Sequence, residues 1–228
     1  MTELWEGLIK AIQLIVTLDS EVMQIAGRSL SLAATSCSIA TLISLPLGSL
    51  IHFSRFPGKG FLISVIQTLF SLPTVLVGLF VFVLFSQAGP IGGANLMFTP
   101  TLMVIGQVML VTPLILGLII STLRGVDKGV TETAISLGAS RFQASILSLR
   151  EARYAVLTAV TMGFGRVISE VGLALMVGGN IRGFTRTLTT AISLETSKGD
   201  IELALALGII LLFIALLINV ALNRLQQR

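Results

Sequence analysis

Arg166 and Glu170 stand four residues apart in an otherwise apolar stretch, the spacing at which two side chains meet on one face of a helix. Arg182 and Arg186 repeat that spacing in "GGNIRGFTRTLTT", residues 178–190, where Asn180, Thr185 and further threonines add donors. Such a set suits an oxyanion; a seat for another protein, or a solvated turn with incidental charges, uses the same residues. A third polar stretch, "ETAISLGASRFQASILSL" over residues 132–149, carries Glu132, Arg141, Gln143 and four serines. None of these groupings is catalytic. The single cysteine, Cys37, lies in an apolar segment, and the single histidine, His52, sits at a segment edge beside Arg55. No Gly-x-Ser-x-Gly nucleophile turn and no metal-ligand cluster occurs, so neither a metal nor a cofactor is implied. No Walker phosphate loop is present, so ATP cannot be bound and hydrolysed by that mechanism.

The elements that must position these residues follow from composition. The chain has 228 residues, 54% hydrophobic and 11% charged, against about 25% charged in soluble domains. Too little polar surface is left to cover a soluble globule, so the bilayer is the solvent. Five segments reach the roughly 20 apolar residues a spanning helix needs: 24–52, 60–86, 101–123, 155–178 and 201–222. Pro46, Pro73 and Pro113 fall inside the first three. Each removes a backbone donor, so neighbouring helices or water must satisfy the freed carbonyls. Arg166 and Glu170 fall in the fourth span, where an isolated charge costs about 2.5–3.5 kcal/mol on insertion scales. They must face the bundle, a partner subunit or water, either as part of a path or gate or as an ion pair packing a dimer seam.

Residues 3–18 are too short to span. Glu3, Glu6, Lys10, Gln13 and Thr17 form a polar stripe, with Leu4, Leu8, Ala11, Ile12, Ile15 and Leu18 opposite. An interfacial amphipathic helix with Trp5 at headgroup level fits, as does a helix packed on the bundle. The organisation is thus an amphipathic segment, 1–20, ahead of a transmembrane domain, 21–225. With the N-terminus outside, nine of the fifteen basic residues lie on the cytoplasmic side: Arg55, Lys59, Arg124, Lys128, Arg141, Arg150, Arg153, Arg224 and Arg228. The formal charge of +4 is therefore read as topology rather than as nucleic-acid binding, and the C-terminus is cytoplasmic.

In that topology the loop 124–153, with residues 132–149 at its centre, faces the cytoplasm. It reads as two short helices. Asp127 or Thr131 caps the first, and Gly138 ends it in a left-handed conformation. Ser140 starts the second, with Gln143 completing a capping box. Ile135, Phe142, Ile146 and Leu149 form an apolar ridge, suited to docking a partner or to packing back on the bundle.

"ETAISLG" resembles the EAA signature of ABC importer permeases: Glu132, Ala134 and Gly138 match, and Thr133 replaces the central Ala. The later Ile-x-Leu-Pro ending is absent; Ser148, Leu149, Arg150 and Glu151 stand there. "GRVISEVGLALMVGGNIRGFTRTLTTAIS", "SLPTVLVGL" and "LMFTPTLMVIGQ" are similar to molybdate-type and tungstate-type permeases, and the short chain with an outer N-terminal helix looks most like the tungstate branch. The resemblance implies an all-α type I importer transmembrane domain in the cell (inner) membrane. It implies a second copy of the chain, a pair of ABC ATPase subunits and an extracytoplasmic oxyanion-binding protein. It makes Glu132, Ala134, Gly138, Ala139, Ser140 and Phe142 the ATPase-coupling set. Arg166, Glu170, Asn180, Arg182, Thr185 and Arg186 become the candidate path or gate. Molybdate and sulfate remain alternative cargoes. A self-contained channel or secondary transporter would need a row of intramembrane ionisable groups, and an intramembrane enzyme a buried nucleophile with its base; neither pattern is present.

Overall fold

A computed structural model describes residues 2–226 of the chain. The side chains of residues 2–4, 128, 222–223 and 225–226 are outside that description, as is Arg228, so the roles expected of Glu3, Leu4, Lys128 and Arg228 fall outside the described residues. The helices, in chain order, are α1 (Thr2–Val16), α2 (Ser20–Phe53), α3 (Lys59–Thr68), α4 (Thr74–Phe85), α5 (Pro100–Gly125), α6 (Lys128–Ser136), α7 (Arg141–Glu151), α8 (Arg153–Ile168), α9 (Gly172–Gly178), α10 (Leu188–Lys198) and α11 (Ile201–Gln226). Among the described residues no β-strand occurs.

Among the described residues, only α2, α5 and α11 are long and apolar enough to cross a bilayer as single rods. The second and fourth expected spans are each broken. α3, extended by a 3-10 turn at Leu69–Ser71, meets α4 at 98°, and α8 meets α9 at 58°. Counting each bent pair as one crossing gives five. Pro73 explains the first break. It forces Leu72 out of the helical region (ψ 126°) and offers no N–H to continue the ladder. The proline expected inside a continuous span therefore separates two helices, whereas Pro46 and Pro113 sit inside unbroken ones. The second break has no proline; it falls at Ser169–Val171.

α5 is the central post, packing on α2, α3, α4, α8 and α9. Its buried face (Leu102, Met103, Gly106, Leu110, Val111, Ile115, Ile119, Leu123) recurs at helical spacing over the whole length, and small residues of α2 (Ala33, Cys37, Ala40, Gly48) let the two helices approach. A Cβ at Gly48 would lie 2.8 Å from Ile119 Cγ2. Two polar bonds cross this seam among the described residues: Ser36 Oγ donates to Gln107 Oε1 at 2.8 Å, with both residues buried, and Ser44 Oγ donates to the Thr112 carbonyl at 3.3 Å. Cys37 is likewise a buried free thiol, as a small core residue should be.

α1 packs along α11: Gly7 abuts Leu205, Ala11 is fully buried, and Lys10 pairs with Glu202 at 3.3 Å. The face opposite Ala11 leaves Trp5, Ile9, Ile12 and Val16 exposed. The apolar side expected as one surface is therefore divided between a protein contact and a bare strip. α7 lies against the C-terminal end of α2 and runs directly into α8, with Ala152 as the cap shared between them.

Candidate functional site

Residues 127–151 form the two-helix corner expected from the sequence. Asp127 Oδ1 accepts from Gly129 N at 2.9 Å and opens α6, while Thr131 instead meets Ser148 Oγ at 3.2 Å across the pair. Gly138 has φ +88°, and its N–H and that of Ala139 close on the carbonyls of Ile135 and Ala134 at 2.9 and 3.0 Å. Nothing lies within 4 Å of where its Cβ would be, so the glycine is there for its backbone angle and not for close approach. Ser140 and Gln143 form the capping box, with Ser140 N to Gln143 Oε1 at 2.8 Å and Gln143 N to Ser140 Oγ at 3.3 Å. Ala134, Ala144, Ser145 and Ser148 face inward; Glu132 is exposed.

The outer surface of the corner is apolar. Phe142 is 74% exposed, Leu137 84% and Ile135 50%. Leu149, expected on this ridge, is half-buried and packs into the core beneath α2 and α5. Leu137 was not anticipated; its place immediately before the left-handed glycine, where a chain reversal leaves the preceding residue outermost, was the available signal.

The second cluster surrounds the two helix breaks, which lie against each other. A Cβ at Gly172 would meet Val75 Cγ2 at 2.8 Å, and one at Gly78 would meet Leu173 Cα at 3.0 Å. Arg166, in the last turn of α8, is exposed and extends Nη2 to the Leu72 carbonyl at 3.4 Å. Glu170 is 5% exposed and accepts from Leu173 N at 2.7 Å, opening α9. The heads of Arg166 and Glu170 therefore do not pair: the helix ends between them, so the one-turn spacing that should have joined them turns them apart. The Glu170 carbonyl accepts from Thr189 Oγ1 of α10 at 2.7 Å.

The turn 179–187 is held by its own donors and by Arg28 of α2. Thr185 is fully buried; its hydroxyl accepts from Ile181 N at 2.9 Å and donates to the Gly178 carbonyl. Asn180 donates to the Thr190 carbonyl at 3.3 Å. Arg28, on α2, donates to the carbonyls of Gly183 (2.7 Å) and Arg186 (3.3 Å). Arg182 makes a two-pronged pair with Glu21, and Arg186 approaches the same carboxylate at 3.7 Å. That hydrogen-bonded carboxylate raises the pKa of Arg182 further, so the pair stays ionised. A cavity of about 560 Å³ opens here, lined by Asp19, Glu21, Arg182, Arg186, Glu195 and Lys198 among others. Arg186 Nε and Asn180 Oδ1 are buried without a partner. Arg28 and Thr189, which tie the turn and the break to other helices, were missed as site residues. Among the described residues no three His, Cys, Asp or Glu side chains are grouped to hold a metal.

The fold as a whole is shared with solved transporters. The chain superposes with a TM-score of 0.76 on a bacterial alginate ABC transporter in complex with an alginate pentasaccharide-bound periplasmic protein, covering 94% of this chain and 82% of that one at 17% identity. At that identity the likeness is one of fold. Residues 44–228 match the binding-protein-dependent transport system inner membrane components. The chain belongs to that family. Two relatives of this inner membrane component extend the match to nearly its full length. The tungstate uptake system permease protein TupB of Peptoclostridium acidaminophilum is 40% identical over 97% of both chains. TupB of Campylobacter jejuni subsp. jejuni is 34% identical over 98% of this chain and 94% of that one.

Proposed function

We propose that this chain is the permease subunit of an ABC importer that carries tungstate across the cell membrane, two copies forming the path between them. The observation that carries the cargo is the match over nearly the whole chain to two tungstate permeases. What supports the machinery is the α6–α7 corner, an exposed apolar knob on the side where basic residues accumulate. In this reading the knob, with Glu132, Ala134, Gly138, Ala139, Ser140 and Phe142, seats in a separate ATPase subunit that hydrolyses ATP. The N-terminus is outside and the C-terminus cytoplasmic. An extracytoplasmic binding protein delivers the anion to the outer face near the turn 179–187. α1 lies at the outer interface with Trp5 among the headgroups.

The mechanism follows from connectivity. ATP-driven closure of the ATPase pair draws two knobs together. α7 passes that displacement into α8, which follows it without a loop, and into the inner end of α2. The end of α8 carries Arg166, whose exposed guanidinium offers the passing oxyanion a weak, single-sided attraction; tighter coordination would stall transport. Asn180, Arg182 and Thr185 act on the turn, since their donors serve protein groups, and Arg186, paired with Glu21 but with its Nε unpartnered, reaches the cargo at the mouth. The test is reconstitution with the cognate ATPase and binding protein, reading ATP turnover with tungstate, molybdate and sulfate in turn. Tungstate should give the largest stimulation at the lowest concentration; equal stimulation by all three defeats the cargo assignment.

A further inference from the structure

Glu170 and Arg166 are the two charges the sequence places in the fourth span, and a shared role on the path is the simplest assignment. The geometry separates them. We propose that Glu170 is a positioning residue that holds the break between α8 and α9 so that Arg166 alone faces the path, and that its negative charge is not what transport uses. This rests on the reading of the chain as an oxyanion permease.

Three polar groups of Glu170 are engaged inward. Its N–H donates to the Val167 carbonyl at 3.1 Å, its Oε1 accepts from Leu173 N, and its carbonyl accepts from Thr189 Oγ1. The residue is buried, whereas Arg166 is exposed. Leu173 N is one of the donors that a helix start leaves without an intrahelical partner, and apolar surroundings offer it no water. A carboxylate oxygen at 2.7 Å meets that need, and so would any acceptor of the same reach.

Thr189 supplies the second tie. It belongs to α10, whose start is anchored to α2 by Leu188 N donating to Ser29 Oγ at 2.8 Å. The break is thus referenced to a continuous spanning helix. It is also referenced to the other break, because Gly172 and Gly78 leave no room between α9 and α4. Displacing the start of α9 displaces Leu72, whose carbonyl orients Arg166. A doubly charged anion would be repelled by an exposed carboxylate beside that arginine; tucked under α9, the carboxylate leaves the guanidinium unopposed.

The experiment is tungstate uptake into proteoliposomes holding the whole complex, with wild type, Glu170→Gln, Glu170→Ala, Thr189→Ser and Thr189→Val. Glu170→Gln keeps the acceptor and loses the charge, so its uptake rate should stay within about threefold of wild type at unchanged KM. Glu170→Ala strands the Leu173 donor, and the rate should fall about tenfold, the order expected for an unpaired buried group. Thr189→Ser should resemble wild type, and Thr189→Val should fall with Glu170→Ala. A second readout needs no transport: the labelling rate of a thiol at the exposed Ser169 (Ser169→Cys) by a soluble maleimide should shift in the Ala and Val variants and hold in the Gln and Ser ones. Loss of uptake in Glu170→Gln as deep as in Glu170→Ala, a shifted KM, or labelling indifferent to all four substitutions overturns the proposal. Wild-type complex that takes up no oxyanion defeats the functional reading instead, and the labelling order still decides the role of Glu170.

Discussion

Replacing Gly138 with alanine isolates one backbone angle at the point where force is proposed to enter the chain. At φ +88° an L-residue pays roughly 1–2 kcal/mol for its Cβ. The surrounding space is empty, so no packing penalty adds to this and no new contact offsets it. The corner is otherwise held by two closing hydrogen bonds, one capping box and the Thr131–Ser148 contact across the pair, each worth about 1 kcal/mol net. Strain of 1–2 kcal/mol is therefore a large fraction of what keeps α6 and α7 at their angle, and the population of the docking-competent corner should drop about five- to thirtyfold. The same factor should appear in the Kd of the solubilised permease for its ATPase, measured by surface capture. Membrane insertion should be untouched, since the residue is exposed and outside every apolar span. Gly125→Ala is the control: that glycine also has open space around it but no positive φ, so binding should be unchanged or slightly tighter. Equal binding by wild type and Gly138→Ala, or equal losses in both variants, would refute the strain argument.

Ser140→Ala removes the cap of α7 and should cost about 1 kcal/mol, with Ser140→Asp retaining most of it, read as ATPase affinity in the same assay. Ser36→Ala leaves the buried Gln107 carbonyl without its donor and should lower thermal stability in detergent by about 1–3 kcal/mol, whereas Ser36→Ala with Gln107→Leu should recover much of the loss. Arg28→Ala frees the carbonyls of Gly183 and Arg186 and should expose the turn 179–187 to added protease, at a cost of about 1.5–3 kcal/mol per lost charged hydrogen bond. Trp5 is the sole tryptophan, so its fluorescence reports α1 directly; in vesicles it should be quenched by lipids labelled near the headgroup more than by lipids labelled deep in the chain, and equal quenching by aqueous iodide would remove α1 from the interface.

The rods and the corner were legible because their signals are local. Apolar length gave α2, α5 and α11; an Asp, a Gly and a Ser-x-x-Gln at the right offsets gave the ends of α6 and α7. The breaks were less legible. Pro73 was visible, but Pro46 and Pro113 look the same in sequence and are absorbed within continuous helices by their neighbours. The break at Ser169–Val171 has no local breaker; Glu170 caps a new helix there, and Gly172 is needed only because the start of α4 crowds it from nearly a hundred residues away in the chain. The partners of Arg182 and Arg186 were hidden for the same reason, since Glu21 lies at the far end of the sequence.

α2 runs for 34 residues, about 50 Å at 1.5 Å per residue, while the hydrocarbon layer is about 30 Å deep. Its surplus length makes it a lever. Pivoting it by about 10° at its N-terminal end, where Arg28 and Glu21 fasten it, would sweep the tip beside α7 through roughly 9 Å, the scale of a domain-closure motion. A modest rocking of one rod can thus serve as gearing between a cytosolic stroke and the much smaller opening that a bare tetrahedral anion requires.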